Sequence, residues 1–336
     1  MHHWQPHIFE QRKPHLLTRM RAMKTIRQFF EKNGYWEIET PALQVMPCAD
    51  MHIHGFRTEY FGPDLNKRRD FYLHTSPEFE MKKLLVAGAE KIYQLCKVYR
   101  NGESTKLHSP EFTMLEWYKT GADYLDIMDE TQALIHALSS ALDELEVKGC
   151  NLTRPFERLS VTEAFSHYAG IDLSSLLDSV TEFSEQAKKA GVRTVESDGW
   201  DDIFHAVMAE KIEPFLGKDI PVFLYDYPAS MACLSRRKEQ DSRYAERFEL
   251  YIAGIEIANA FTELTDAAEQ RRRFSDEMAA RQERYGFSYP LDEDFLRALE
   301  YGMPECAGIA LGVDRLCMLL SGAERIDDVL WSAKPG

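Results

Sequence analysis

Between Tyr99 and Phe112 the chain reads YRNGESTKLHSPEF, a polar loop that presents Arg100, Lys106 and His108 between two apolar runs. Cations on a rigid hairpin suit a polyphosphate, and an aromatic ring such as Phe112 stacks on a base. A solvated loop beside a core phenylalanine shares this spacing, so the loop alone leaves both readings open. The six cysteines, Cys48, Cys96, Cys150, Cys233, Cys306 and Cys317, show no CxxC pair. They read as buried, reduced thiols and suggest neither a zinc site nor a disulfide framework.

The runs Ile92 to Tyr99 and Phe112 to Tyr118 read as the strands that hold this loop, and a connection of that length between ordered strands is often functional. Upstream, Pro14 followed by Leu16, Leu17, Met20, Met23, Ile26, Phe29 and Phe30 predicts an amphipathic helix with proline in its first turn, stopped by Asn33 and Gly34. Tyr35 to Glu39 alternates apolar and acidic residues and reads as a half-buried strand before Pro41. Phe71 to Leu73 predicts a short strand leading into TSPE, where Thr75 or Ser76 caps a helix that starts near Pro77 and Glu78. A helix is expected from Ala122 to about Leu145, and helices with short strands to about Gly217, without a chemical signature. Strands return at Val222 to Tyr225, Phe248 to Ile252 and Ile255 to Phe261; a charged helix runs from Asp266 to Tyr285, and Val313 to Leu320 reads as an apolar helix. One domain with a helical insertion at about 122–217 fits this order, without a repeat or a low-complexity segment.

The 336 residues, 44% hydrophobic and 28% charged, have the composition of a globular protein. Apolar stretches fall far short of the roughly 20 residues of a membrane span, and the first residues lack the apolar core of a signal peptide. The expected location is the cytoplasm. Forty basic against fifty-five acidic residues give a net charge of -15, which disfavours general nucleic-acid binding. The small basic clusters at 67–69, 236–238 and 271–273 read as solvated surface.

Arg100, the loop and the following PEFTMLE together resemble motif 2 of class II lysyl-tRNA synthetases. The first helix, strand and Pro41 resemble motif 1, whose proline lies at that family's dimer interface, and GIALGVDRL at 308–316 resembles motif 3. The resemblance implies an α+β fold, an antiparallel sheet flanked by helices, probably a misfit for any other class, and a homodimer. It implies an ATP site at Arg100, Asn101, Gly102, Glu103, His108, Ser109, Phe112, Glu256, Ile257, Gly312 and Arg315. Within it, Arg100 and Arg315 are the catalytic cations, for the α-phosphate with the reacting carboxylate and for the γ-phosphate, and Phe112 faces the adenine. Glu249 and Glu256 match positions that hold Mg²⁺, whose hardness suits carboxylate oxygens. Ser76, Pro77, Glu78, Glu116, Tyr118, Asn259, Glu263 and Ala310 match the amino-acid pocket, where three carboxylates call for a substrate with two ammonium groups.

Motif 1 begins almost at once, leaving no room for the anticodon-binding domain that precedes it in lysyl-tRNA synthetases. That shape is similar to the truncated paralogues of this family, which join (R)-β-lysine to a lysine ε-amine of elongation factor P and use no tRNA. Ala310 stands where lysyl-tRNA synthetases usually have glycine, and its methyl group is expected to favour the β-amine. Two positions depart from the family pattern: Gly102 replaces the usual glutamate, with Glu103 following, and Ser109 replaces asparagine. A minimal lysyl-tRNA synthetase using α-lysine and a non-catalytic amino-acid sensor are the alternatives.

Overall fold

The computed structural model of the protein describes residues 3–65, 68–143 and 145–332, so Lys67 of the first basic cluster lies outside the described residues. Helix α1 (Pro6–Lys32) leads into β1 (Trp36–Glu37) and a small antiparallel sheet of β2 (Leu43–Gln44), β3 (Phe56–Phe61) and β4 (Arg68–Leu73). Helix α2 (Glu78–Val86) precedes β5 (Lys91–Tyr99) and β6 (Glu111–Thr120), which flank the polar loop, and α3 (Tyr124–Leu142) follows. The middle of the chain holds a hairpin of β7 (Glu146–Val147) and β8 (Cys150–Asn151), then β9 (Glu157–Ser160), α4 (Val161–Ala164), α5 (Val180–Lys189) and α6 (Trp200–Val207). Next come β10 (Val222–Pro228), β11 (Tyr244–Ile252) and β12 (Ile255–Thr262), then α7 (Ala267–Tyr285), α8 (Glu293–Gly302), β13 (Cys306–Gly312) and α9 (Val313–Leu320).

Eight strands form the central sheet in the order β1-β5-β6-β13-β12-β11-β10-β9. Its centre is antiparallel, and β1 and β9 pair in parallel at the two edges. The period-2 alternation of the strands decides which face is covered. Leu115 and Trp117 of β6, Phe248 and Leu250 of β11, Ala258 and Ala260 of β12, and Ile309 and Leu311 of β13 are buried in one cluster with residues of α1, α3 and α9. Phe30 anchors that layer, stacked on Tyr93 at 4.5 Å and edge-on to Trp117 at 5.2 Å between centroids. A fully buried ring of this kind contributes roughly 1.5–3 kcal/mol.

The opposite face is covered at its β5–β6–β13 end by α2, α7 and α8 around Phe79, Phe274 and Phe295, and at its β10 end by residues 161–216. Its remaining floor carries Glu116, Asn259, Ala310, Arg247 and Glu249 in adjacent cross-strand positions. Residues 161–216 pack around their own cluster, centred on Phe165, Phe183 and Phe204, against the β10 edge. By contrast α3, at the start of the middle region, packs in the main core.

Several local expectations change. Helix α1 starts at Pro6, where the missing N–H is harmless, and Pro14 lies inside it on an exposed face. Strand β3 and helix α8 were not anticipated, and the strand expected at Phe71 to Leu73 is the end of β4. Helix α2 has Pro77 as its N-cap, and the Ser76 hydroxyl, though it accepts from the Glu78 N–H at 3.1 Å, donates to Glu116 instead of serving only the helix. The basic clusters are ion-paired: Arg236 with Glu246 and Glu305, Arg271 with Glu293, and Arg273 with Glu269. No described helix is long and apolar enough to cross a membrane.

Candidate active site

Two cavities, each of about 220 Å³, open side by side on the partly covered face. They share Asp50, Ile53, Arg100, Arg247, Asn259 and Ala310, so Arg100 at the end of β5 stands where they meet. The roof over this junction is the segment around Asp50 to Ile53, held by the fully buried Arg281 of α7. Its guanidinium donates to the carbonyls of Met51 at 2.7 Å and Ile53 at 3.0 Å, to His54 Nδ1 at 2.7 Å and to the Tyr289 hydroxyl at 2.8 Å.

The first cavity to consider lies over β6, β12 and β13 at the end of the polar loop. The Arg100 guanidinium sits 5.3 Å from the Phe112 ring centroid and 3.8 Å from the Glu103 carboxylate. Arg315 of α9 donates to the Glu256 carbonyl at 2.9 Å and reaches His108 Nε2 at 2.5 Å. Because an arginine only donates, His108 accepts at Nε2 and presents its Nδ1 proton to Thr105 Oγ1, 2.7 Å away. Burial and the neighbouring Arg315 both lower the His108 pKa, which keeps the ring neutral. Ser109 and Ile257 line the same cavity, and the buried Ser109 hydroxyl and the Arg100 Nε lack partners, as groups awaiting a ligand do. Gly312 completes the wall.

Asn101 and Gly102 do not line this cavity, whereas Glu103 does. Gly102 has φ +88° with open space around it, in a turn where a glutamate would be strained. The carboxylate of this loop that reaches the cavity is that of Glu103, the next residue.

Glu249 and Glu256 share one face because of a β-bulge. Opposite Leu250 and Tyr251 stand Ala258 and Glu256, leaving Ile257 as the extra residue. The bulge turns Glu256 toward the cavity when strict alternation would aim it at the core. Glu249 accepts from the hydroxyls of Tyr227 at 2.6 Å and Tyr251 at 2.7 Å, and from Arg247 at 2.7 Å. A third carboxylate, Glu213, was not anticipated; burial and then repulsion from Glu249 and Glu256 push it up to about 7. The same two causes, burial and Glu249, raise the Glu256 pKa. Such mutual repulsion suits a divalent cation, and Mg²⁺ typically uses one or two protein carboxylates plus phosphate oxygens.

The second cavity is deeper and acidic. Glu116 is fixed by Ser76 at 2.7 Å and by the Tyr118 hydroxyl at 2.6 Å. Burial, then repulsion from Glu78, pushes Glu116 up to about 7, although both hydroxyl donors oppose the shift. Ala310 pairs across the sheet with Glu116 on one side and Asn259 on the other, and the Asn259 side chain accepts from Arg247 at 3.1 Å. A Cβ at Gly308 would lie 2.2 Å from the Tyr118 ring and 2.8 Å from Glu263, so only glycine permits this approach.

Pro77 and Glu263 do not line either cavity. Glu263 is wholly buried and ion-paired with Lys82, a residue that also pairs with Glu78. Lys82 escaped notice although its four-residue spacing from Glu78 is a helical ion-pair signal. Arg247, two residues before Glu249 on the same strand face, had a comparable signal. Asp201 and His205 of α6 and Glu277 of α7 also line the second cavity. They had no signal, since only the fold brings them there.

Comparison with known proteins places these features in a wider set. Residues 7–334 match the family described as tRNA synthetases class II (D, K and N). The chain is 41% identical to the elongation factor P--(R)-beta-lysine ligase of Salmonella arizonae, over 97% of this chain and 96% of that protein. It is also 41% identical to the ligases of the same name from Avibacterium paragallinarum, over 98% and 97%, and Edwardsiella ictaluri, over 94% and 93%.

Proposed function

The chain belongs to the class II tRNA synthetases of the D, K and N group, and from that premise we propose that it is an ATP-dependent ligase that activates (R)-β-lysine and transfers it to a lysine of elongation factor P. The observation that carries this reading is the meeting of the two cavities at Arg100, with cations and a stacking ring on one side and paired carboxylates on the other.

The ammonium groups of the amino acid face Glu78 and Glu116, and its carboxylate lies toward Arg100. That carboxylate attacks the α-phosphorus of ATP: a new O–P bond forms, the bond to the bridging oxygen breaks, and pyrophosphate leaves. Arg100 offsets charge on the α-phosphate and the reacting carboxylate, and Arg315 does so at the γ-phosphate. Glu249 and Glu256 are the residues that would hold Mg²⁺, which supplies charge neutralisation between phosphate oxygens. His108, neutral and held by Thr105, keeps Arg315 aimed into the cavity. In the second step the unprotonated ε-amine of the acceptor lysine attacks the activated carbonyl. An amide forms and AMP leaves with the electrons of the C–O bond.

The organisation that goes with this reading is one catalytic domain with a helical insertion, acting in the cytoplasm as a homodimer. Exposed Leu17, Met20, Trp36, Leu43 and Val45 along α1, β1 and β2 supply the apolar surface that such a dimer covers. Light scattering of the purified protein is expected to give twice the mass of one chain, and the mass of one chain would remove the dimer.

The test of the activity is the intact mass of elongation factor P after incubation with the protein, Mg·ATP and either (R)-β-lysine or α-lysine. The expected result is the gain of one lysyl group, stronger with the β isomer. A preference for α-lysine would shift the substrate. Pyrophosphate exchange without any mass gain would remove elongation factor P as acceptor.

A further inference from the structure

One buried cation has no part in the chemistry above. Lys82 follows Glu78 by one turn on α2, and its side chain is 1% exposed. The ammonium pairs with both Glu78 and Glu263 and lies 5.3 Å from the Phe261 ring and 6.0 Å from the Tyr118 ring. Glu263 is 0% exposed, with Lys82 as its ion-pair partner at Oε2 and no further donor on its carboxylate. Around this pair stand Glu116, Ser76, Tyr118, and the thiols of Cys96 and Cys306.

We infer that Lys82 is a specificity-determining residue of the amino-acid pocket, an internal counter-ion that cancels one of the three carboxylates Glu78, Glu116 and Glu263 and leaves two negative charges for a ligand with two ammonium groups. The inference rests on the ligase reading and sets its substrate class. A buried charge without a partner is strongly unfavourable, so net charge decides which ligand fits. An amino acid with one ammonium group leaves a carboxylate bare. A diamino acid leaves none.

The state of the empty pocket supports this balance. Glu116 is pushed up to about 7 and Glu263 to about 8, burial leading in both cases, so at neutral pH the pair retains protons that a second ammonium group would displace. Burial acts against the charged form of Lys82, yet Glu263 and Glu78 outweigh it and raise its pKa. Burial also raises the pKa of Cys96 to about 12 and that of Cys306 further, which leaves both thiols neutral. Folded carboxylate pKa values above the usual range mean that proton loss accompanies ligand binding. Affinity for the diamino acid therefore rises with pH through about 7 to 8.

Two measurements test the inference. Calorimetry of (R)-β-lysine binding to the wild-type protein at pH 7, in buffers of different ionisation enthalpy, should show net proton release; none would overturn the proposal. Amino-acid-dependent pyrophosphate exchange then compares Glu263→Gln, Lys82→Met and their double variant. Each single change should raise the KM for (R)-β-lysine about tenfold or more, with a smaller effect on kcat. The double variant restores two net negative charges and should have a KM about tenfold below that of Glu263→Gln. A double variant no better than Glu263→Gln overturns the charge balance. Should Lys82→Met or the double variant not fold, Glu263→Gln alone carries the comparison, and a KM for (R)-β-lysine within about threefold of wild type in that variant would refute the proposal. Absence of exchange by the wild type with any diamino acid would instead remove the ligase reading itself.

Discussion

The two halves of the site handle charge in opposite ways. On the nucleotide side, Arg100 and Arg315 stand in a cavity wall with their side chains 23% and 21% exposed, beside carboxylates that repel one another. On the amino-acid side, Glu116 and Glu263 are almost wholly buried, and each is fixed by a neighbour: Glu116 by two hydroxyls, Glu263 by Lys82. The first group is partly exposed to solvent, and the second hardly at all. The open half therefore suits a large, highly charged ligand that brings its own cation, and the closed half suits a small ligand whose charge must match exactly one pattern.

Substitutions in the two halves should separate these behaviours. Arg100→Ala removes the cation at the junction and should lower pyrophosphate exchange by about 10² to 10³ in kcat, with an unchanged melting temperature because the side chain has no buried partner. Exchange near the wild-type rate would take Arg100 out of the mechanism. Glu116→Gln keeps the shape and removes one charge; it should raise the KM for the diamino acid roughly tenfold to a hundredfold while leaving the KM for ATP within about twofold. A similar rise in both constants would erase the distinction between the halves.

Gly308→Ala forces the Tyr118 ring away from β13, and overpacking of this kind costs about 1–3 kcal/mol. Urea denaturation measures the loss, and an unchanged midpoint would show that the ring moves freely. Ala310→Gly should have the smallest effect, a gain of about tenfold or less in α-lysine activation relative to (R)-β-lysine, since one methyl group rarely discriminates by more than about 1–3 kcal/mol. An unchanged ratio would place the selectivity elsewhere in the pocket.

Much of the sheet was legible because its strands obey simple alternation. Leu115 and Trp117 against Glu116 and Tyr118 announce a strand with one packed face, and the apolar run Val313 to Leu320 announces α9, whereas the strand before it, β13, was not read as one. The polar loop between β5 and β6 was visible as an anomaly of length. Strand β3 was not, because its residues are mostly exposed and lack an apolar stripe; of its partner β4 only the Phe71 to Leu73 end was read. Within the site, the residues found early lie on sheet strands or next to them. Arg281, Asp201 and His205 belong to helices packed over the sheet, and their relation to it depends on tertiary placement that no local spacing encodes. Glu263, assigned to the amino-acid pocket through its motif, lies one residue beyond β12, buried and paired with Lys82.

The extra residue in β12 has a consequence for how this chain can vary in length. Deleting Ile257 would let the ladder between β11 and β12 close without interruption, an apparent improvement in regularity. Glu256 would remain opposite Tyr251, one step from Ala258 on the alternating faces, so its carboxylate would still look into the cavity. What would go is a buried side chain of the layer that holds Phe248 and Leu250. The extra residue is therefore constrained by packing and not by register, and lineages that keep the chemistry can shed it wherever a neighbour fills that layer.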